Sequence, residues 1–215
     1  MTQRRIWDIT PPLGRLTPVF PGDTPFQVYW SERITDGAAA NVSTLTFSPH
    51  VGAHADAPLH LDGGAADAAS LRLETFIGRC LVVDLSDAET LDPIGPESLG
   101  AAATLPPRIL FKTRKQRPWQ WTPEFRALKP QLIRHLATEG VGLIGVDAPS
   151  IDPAESTLLV AHRIALSNRM ALLENLDLSG VEAGEYELIA LPLPLEGVEA
   201  SPVRAVLRAL TAGGA

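Results

Sequence analysis

The chain is poor in several features that would direct its function elsewhere. It has one cysteine among 215 residues, which excludes an intramolecular disulfide framework and a cysteine-rich zinc site. That residue, Cys80, lies in the apolar run GRCLVVDL, which indicates a packing role in a buried strand. Lys and Arg number 18 against 25 Asp and Glu, and no basic stripe is present. We therefore expect neither nucleic acid nor an anionic membrane surface as a partner.

Long hydrophobic runs are also missing. No apolar stretch approaches the roughly 20 residues of a membrane span. The N-terminal MTQRRIWDITPPLG has no apolar segment behind its two arginines, unlike a signal peptide. These features favour a cytoplasmic protein. Hydrophobic residues make up 45% of the chain, and the 19 prolines form no linker, so residues 1–215 are interpreted as a single globular domain.

Most of the secondary structure is predicted to be β. Short apolar runs bounded by turn residues predict strands in FQVYWSERI, NVSTLTFS, RCLVVDL, RILFKTR, VGLIGVD and ELIALPLPL. Helices are predicted from Pro130 to just before Gly140, in RMALLENL, and in SPVRAVLRAL, which Ser201 and Pro202 would open. The pattern predicts an α/β fold with a central β-sheet or open barrel and peripheral helices.

Histidine is scarce, yet three of the five histidines lie within eleven residues. His50, His54, Asp56 and His60 stand at even offsets in SPHVGAHADAPLHL, so an extended chain would point all four to one face. A glycine and a proline within the segment oppose a helix. A straight strand would separate positions 50 and 56 by about 20 Å, too far for ligands that each bond a metal at about 2 Å. The segment is therefore predicted to bend around a metal ion.

Chance clustering is the weaker explanation, because four polar groups converging in a bend would carry a burial cost without a shared partner. Nitrogen and oxygen ligands favour zinc, with manganese, iron or cobalt as alternatives. Distant candidates to complete the site are His162 and Glu174, although Glu174 could equally be a solvated helix acid. His135, within LIRHLAT, is interpreted as a structural histidine.

Segments along nearly the whole chain resemble the bacterial kynurenine formamidases, which are metal-dependent hydrolases of the cyclase family. They are WDITPPL, TPVFPGDTP, HVGAHADAPLH, GVDAPSIDP, LLENL, YELIALPLPL and ASPVRAVLRAL. The third segment meets the family pattern His-x-Gly-x-His-x-Asp-x-Pro-x-His at every fixed position. The resemblance implies a swivelling β/β/α fold and a homodimer.

The same resemblance implies a two-metal site. His50, His54 and Asp56 would hold one zinc ion. Asp56, His162 and Glu174 would hold a second, with both carboxylates bridging the pair. The resemblance thus favours a ligand role for Glu174.

The resemblance also implies a reaction, the hydrolysis of the formyl amide of N-formyl-L-kynurenine to L-kynurenine and formate in tryptophan degradation. His60 matches the family's catalytic acid/base. Phe20 stands where the family usually has a substrate-contacting tryptophan, and it still offers a flat apolar face to an aryl ring. Arg163 stands where the family often has a second histidine, a change that concerns the periphery of the site.

Two alternative functions remain open on the sequence. Another hydrolase of this family, acting on a cyclic amide such as isatin or on a different aryl amide, would share every ligand. A non-catalytic metal-binding protein would use the same ligands, although His60 lies beyond a set that already looks complete. Asp23, Asp147 and Ser150 are interpreted as groups that could support the ligands. No Gly-x-Ser-x-Gly elbow is present, which argues against a serine hydrolase.

Overall fold

A computed structural model describes residues 4–100 and 104–210, and in them eleven strands and two α-helices. The strands are β1 Ile6–Asp8, β2 Gln27–Glu32, β3 Val42–Thr46, β4 His54–Asp56, β5 Ile77–Asp84, β6 Arg108–Lys112, β7 Leu143–Val146, β8 Ala171–Glu174, β9 Gly184–Ile189, β10 Ala200–Pro202 and β11 Val206–Arg208. The helices are α1 Pro130–Thr138 and α2 Val160–Ser167. Short 3-10 turns include Pro58–His60 and Leu73–Phe76.

Nine strands form one sheet in the order β1-β11-β9-β5-β6-β7-β8-β4-β10. The central strands β5, β6, β7 and β8 are parallel, and the strands on either side pair antiparallel. Because parallel neighbours run in one direction, the carboxyl ends of β6, β7 and β8 meet at one edge of the sheet. Strands β2 and β3 form a separate two-stranded hairpin.

Strands β6, β7 and β8 are buried on both faces, and their side chains alternate between two hydrophobic clusters. In β6, Leu110 faces one cluster, whereas Ile109 and Phe111 face the other. The first cluster draws on residues from opposite ends of the sheet, including Ala55 and Leu207, so that face is concave. The second cluster lies between the sheet and the two helices. The predicted α/β fold with a central open-barrel sheet and peripheral helices is confirmed.

Several local predictions are also confirmed. All six predicted strand segments contain a strand, and α1 begins at Pro130 and stops before Gly140, which has a φ of +81°. Cys80 is fully buried in the first cluster, and burial raises the pKa of its thiol to about 12. Within the described residues, no helix is long and apolar enough to cross a membrane.

The helix predicted in RMALLENL is wrong, because Ala171–Glu174 forms strand β8. The helix lies earlier in the chain, since α2 ends at Ser167 with Asn168 at its C-cap. All four residues of β8 are buried, and Leu172 and Leu173 enter the two different clusters. A run that is apolar on both sides suits a central parallel strand, and this burial outweighs the helix propensity of Ala and Leu.

The helix predicted in SPVRAVLRAL is also wrong, because the segment forms β10 and β11. The hydroxyl of Ser201 caps no helix and instead accepts a hydrogen bond from the backbone N–H of Leu193, at 2.7 Å. Val203, Ala205 and Leu207 are buried at a spacing of two residues. A spacing of two residues is the period of a strand. The helix was predicted because Ser201 and Pro202 resemble the start of a helix.

Candidate metal centre

The histidine-rich segment is a bent extended chain. Gly52 has a φ of +74°, a conformation that glycine adopts without strain, and the chain turns there before β4 begins at His54. Strand β4 lies between β8 and β10, with His54 opposite Glu174 in the antiparallel register. The 3-10 turn that follows ends at His60. The bend lets residues that are far apart along the chain face a common centre.

The structure brings together all five predicted ligand residues. Asp56 Oδ1 lies 3.3 Å from His50 Nδ1 and 3.4 Å from His54 Nε2. Asp56 Oδ2 lies 3.4 Å from His162 Nε2. The two carboxylate oxygens of Glu174 lie 3.6 Å from His54 Nε2 and 3.2 Å from His162 Nε2. Each carboxylate thus faces two or more imidazoles, an arrangement suited to bridging.

The buried polar atoms of this cluster fit a metal ion. His54 Nε2 and both carboxylate oxygens of Asp56 are buried without a hydrogen-bond partner. Their separations exceed the usual N–H···O distance of about 2.9–3.0 Å. Two atoms that each bond zinc at about 2.0–2.1 Å in tetrahedral geometry stand about 3.4 Å apart, which matches the observed spacing. Without a shared cation these atoms would carry an uncompensated burial cost.

The electrostatics of the cluster also favour a cation. Burial lowers the pKa of His54, but the carboxylates of Asp56 and Glu174 outweigh it and raise that pKa to about 10. The pKa of His162 is likewise raised well above its usual value, since its carboxylate neighbours outweigh burial. Burial raises the pKa of Asp56, yet the imidazoles hold it well below its usual range. The cluster therefore concentrates buried negative charge that attracts protons or metal ions.

Hydrogen bonds on the far ring nitrogens orient two of the imidazoles. His54 Nδ1 lies 2.8 Å from the carbonyl oxygen of Gly52, which can only accept, so Nδ1 carries the proton and Nε2 faces the cluster. His162 Nδ1 lies 2.7 Å from Asp152 Oδ2. A carboxylate behind a ligating histidine sets its tautomer and raises its basicity.

Asp152 also fixes the start of α2, the helix that carries His162. Its carboxylate accepts the backbone N–H groups of Ala161 and His162, at 2.9 and 3.0 Å. The residue at the N-cap position, Leu159, has a φ of +46° and makes no capping hydrogen bond through its side chain, so Asp152 supplies the acceptor from the loop that precedes the helix. Asp152 was not predicted, because nothing in the segment GVDAPSIDP distinguishes it from a loop aspartate.

The remaining polar residues named from the sequence stand around the ligands. Ser150 Oγ accepts the backbone N–H of Asp152, at 3.1 Å. The Ser48 hydroxyl donates a hydrogen bond to the carboxylate of Asp23, at 3.3 Å. The oxygen of the same hydroxyl accepts a hydrogen bond from the backbone N–H of His50. The carboxylate of Asp147 accepts the backbone N–H groups of the two residues that follow β6.

The imidazole of His60 lies beside the cluster, with its ring centroid 4.6 Å from that of His50 and 5.9 Å from that of His162. Burial lowers the pKa of His60, which favours the neutral ring that can accept a proton. Asp56, His60 and His162 also lie close enough together to hold an ion, so the ring is within reach of a cation bound in the cluster. His135, by contrast, is exposed on α1.

A cavity of about 420 Å³ opens over the cluster, and the predicted substrate contact, Phe20, lies in its wall. Phe20 lines this cavity, 38% exposed, and packs edge-to-face against Trp121 with ring centroids 5.6 Å apart. Trp121 was not predicted, and the aromatic-rich RPWQWTP was its only signal. Arg163 points its guanidinium to the carbonyl of Leu158, at 2.9 Å, and is exposed.

Comparison with known proteins places this geometry in a family. The family model described as Cyclase matches residues 7–153. This chain belongs to the cyclase family. A kynurenine formamidase of Bordetella pertussis is 50% identical over 209 residues, 96% of this chain and 99% of the relative. The kynurenine formamidase of Bordetella avium is also 50% identical, over 210 residues, with the same coverage of both chains.

Solved structures of the cyclase family share the fold. A potential metal-dependent hydrolase with cyclase activity superimposes with a TM-score of 0.83 at 26% identity, over 98% of this chain and all of that one. Isatin hydrolase A from Labrenzia aggregata superimposes with a TM-score of 0.80 at 21% identity, over 96% of this chain and 94% of that one. The second likeness concerns the fold alone.

Replacing Asp152 by asparagine should weaken metal binding without unfolding the protein. The amide still accepts a helix N–H group but no longer supplies the negative charge behind His162. We expect metal affinity to fall about 10- to 100-fold, measured by competition with a chromophoric chelator. The control is Asp87→Asn at an exposed ion pair. Unchanged affinity in Asp152→Asn would contradict the role assigned to this carboxylate.

Proposed function

We propose that this enzyme hydrolyses the formyl amide of N-formyl-L-kynurenine to L-kynurenine and formate, using zinc in the buried cluster. The observation that carries the proposal is the set of three imidazoles and two carboxylates with unpartnered buried atoms at the base of an aromatic-lined cavity. Relatives that are 50% identical over nearly their full length are kynurenine formamidases, which supports the substrate. One domain over residues 1–215 and a cytoplasmic location stay predictions.

In this proposal His50, His54 and Asp56 hold one zinc ion, and Asp56, His162 and Glu174 hold a second. When bound, zinc lowers the pKa of coordinated water toward 7 and polarises a carbonyl oxygen, so it supplies both a nucleophile and an electrophile. The backbone N–H of Ile151 donates to Glu174 Oε1, at 2.8 Å, and so keeps that carboxylate aimed at the cluster. Because the protein holds these side chains in place before the substrate binds, they need little reorganisation during the reaction.

His60 is proposed to move the proton. Its imidazole, neutral because burial lowers its pKa, takes a proton from the attacking water and passes it to the aniline nitrogen as the C–N bond breaks. Its ring centroid lies 4.6 Å from that of His50 and 5.9 Å from that of His162, a closeness that supports this role. Phe20 and Trp121 would contact the aryl ring of the substrate through their apolar faces.

The test of this function is a substrate panel with metal removal. The wild-type protein should hydrolyse N-formyl-L-kynurenine, lose activity after dialysis against a chelator, and regain it with zinc. Manganese and cobalt are compared in the same assay, with metal content measured in parallel. Activity on isatin in place of the formyl amide would assign the site to a cyclic amide. Exchangeable metal without turnover of any amide would make the protein a metal-binding protein.

Two substitutions separate proton transfer from metal binding. His60→Ala should keep near wild-type zinc content and lose turnover by about 100-fold or more, as expected when a general acid–base is removed. His54→Ala should lose zinc together with activity, because it removes a ligand. Metal analysis and kinetics on the same preparations decide between them. Loss of zinc in His60→Ala would make His60 a ligand.

We also propose a homodimer, supported by the β2–β3 hairpin. Tyr29, Trp30, Val42 and Leu45 of this hairpin are each about half exposed, although they are large and apolar. A two-stranded hairpin is only marginally stable alone and is usually covered by other structure. A second copy of the chain would cover these side chains.

Light scattering coupled to size-exclusion chromatography should therefore find a dimer at micromolar concentration. Leu45→Glu should shift the protein toward monomer, because the charge would be buried in the interface. Leu91→Glu, at an exposed loop position, serves as the control. A wild-type monomer at these concentrations would refute the proposal.

A further inference from the structure

Arg114, in the wall of the cavity, forms no salt bridge with a carboxylate of the described residues. Arg114 lines the cavity and is partly buried, so that burial lowers its pKa. Among the described residues its guanidinium makes one long hydrogen bond, from Nη2 to the carbonyl oxygen of Glu124 at 3.4 Å. Other arginines, such as Arg79 and Arg208, pair with carboxylates at the surface. Arg114 is the more desolvated group, and it forms no such ion pair in the described ranges.

The backbone around Arg114 is held in place by a buried carboxylate. Asp147 accepts hydrogen bonds from the backbone N–H and hydroxyl of Thr113 and from the backbone N–H of Arg114, at 2.6–3.1 Å. Its oxygens are occupied by these donors and form no salt bridge with the guanidinium, although the charge of Asp147 partly offsets the effect of burial on the pKa of Arg114. The main chain is therefore rigid at Arg114, while most N–H groups of the side chain stay available to a ligand.

The sheet sets the distance between Arg114 and the metal cluster. Arg114 follows β6, Asp147 follows β7, and Glu174 ends β8, so all three lie at the shared carboxyl edge of neighbouring parallel strands. The backbones of β6 and β8, separated by one strand, lie about 10 Å apart. A ligand that reaches from Glu174 across β7 would meet the guanidinium with its far end.

We propose that Arg114 binds the α-carboxylate of the substrate's amino-acid arm while the formyl amide lies at the cluster; this rests on the proposed function. A guanidinium and a carboxylate form two parallel charge-assisted hydrogen bonds, which fix orientation as well as add affinity. The aryl ring between the two ends would lie along Phe20 and Trp121, which line the same cavity. Arg114 would thus select an amino-acid substrate over a simple formanilide.

The experiment compares N-formyl-L-kynurenine with N-(2-acetylphenyl)formamide, which keeps the formyl amide and ring ketone but lacks the amino-acid group. Wild-type protein should prefer the first in kcat/KM. In Arg114→Gln, the ratio of kcat/KM for the two substrates should fall roughly 10- to 100-fold, as expected for the loss of a hydrogen-bonded charge pair. The loss should lie mainly in KM. Arg114→Lys, which keeps the charge without the fork, should give a smaller fall.

Arg134→Gln, at an exposed position of α1, is the matched control, and Arg117→Gln tests the other arginine that lines the cavity. Thermal unfolding and zinc content of each variant report on folding. An unchanged ratio in Arg114→Gln, or a fall confined to Arg117→Gln, would overturn the assignment of Arg114. Equal losses on both substrates would do the same. If the zinc-loaded wild type hydrolyses neither formyl amide, the proposed function fails first.

Discussion

The burial of two carboxylates at one point is the constraint on which the rest of the site depends. Asp56 and Glu174 are almost fully buried, and the oxygens of Asp56 accept no hydrogen bond from a described residue. Buried carboxylates that close to one another repel unless cations lie between them. Three imidazoles surround the pair at distances that suit shared ligation better than hydrogen bonding. Zinc is the proposed occupant, and the buried charge is the physical reason that some cation is needed.

The sheet brings the residues of the cluster together at one edge. Strand β4 pairs antiparallel with β8, which sets His54 directly opposite Glu174. The carboxyl ends of the parallel strands β6, β7 and β8 gather at the same edge, where side chains that follow them reach one cavity. A cleft at the carboxyl ends of parallel strands is a common location for ligand binding in α/β folds. Here that edge carries the proposed ligand Glu174 at the end of β8, and the carboxylate of Asp147 and the guanidinium of Arg114 just after β7 and β6.

Positioning groups outside the cluster come from segments with no pattern of their own. Asp152 caps α2 and also accepts the Nδ1 proton of His162, so one carboxylate sets both the position of the helix and the tautomer of His162. Ser48 links Asp23 to the backbone of His50 in a similar way. Because these groups act through other residues, they are recognised by hydrogen bonds in space and not by spacing along the chain.

The sequence by itself determined the bend, its four polar residues and most strands, because even offsets, a glycine and short apolar runs are local signals. His162 and Glu174 were already candidates from the sequence, and resemblance to a family then favoured Glu174 as a ligand over a solvated helix acid. The tertiary structure decided that RMALLENL contains a strand, since burial on both faces of the sheet outweighs local helix propensity. It also decided that SPVRAVLRAL contains two strands, in which alternate residues are buried. It also revealed Asp152, Trp121 and Arg114, because their partners or the cavity they line lie on distant segments. Contacts between such segments depend on the packed fold, which no local pattern encodes.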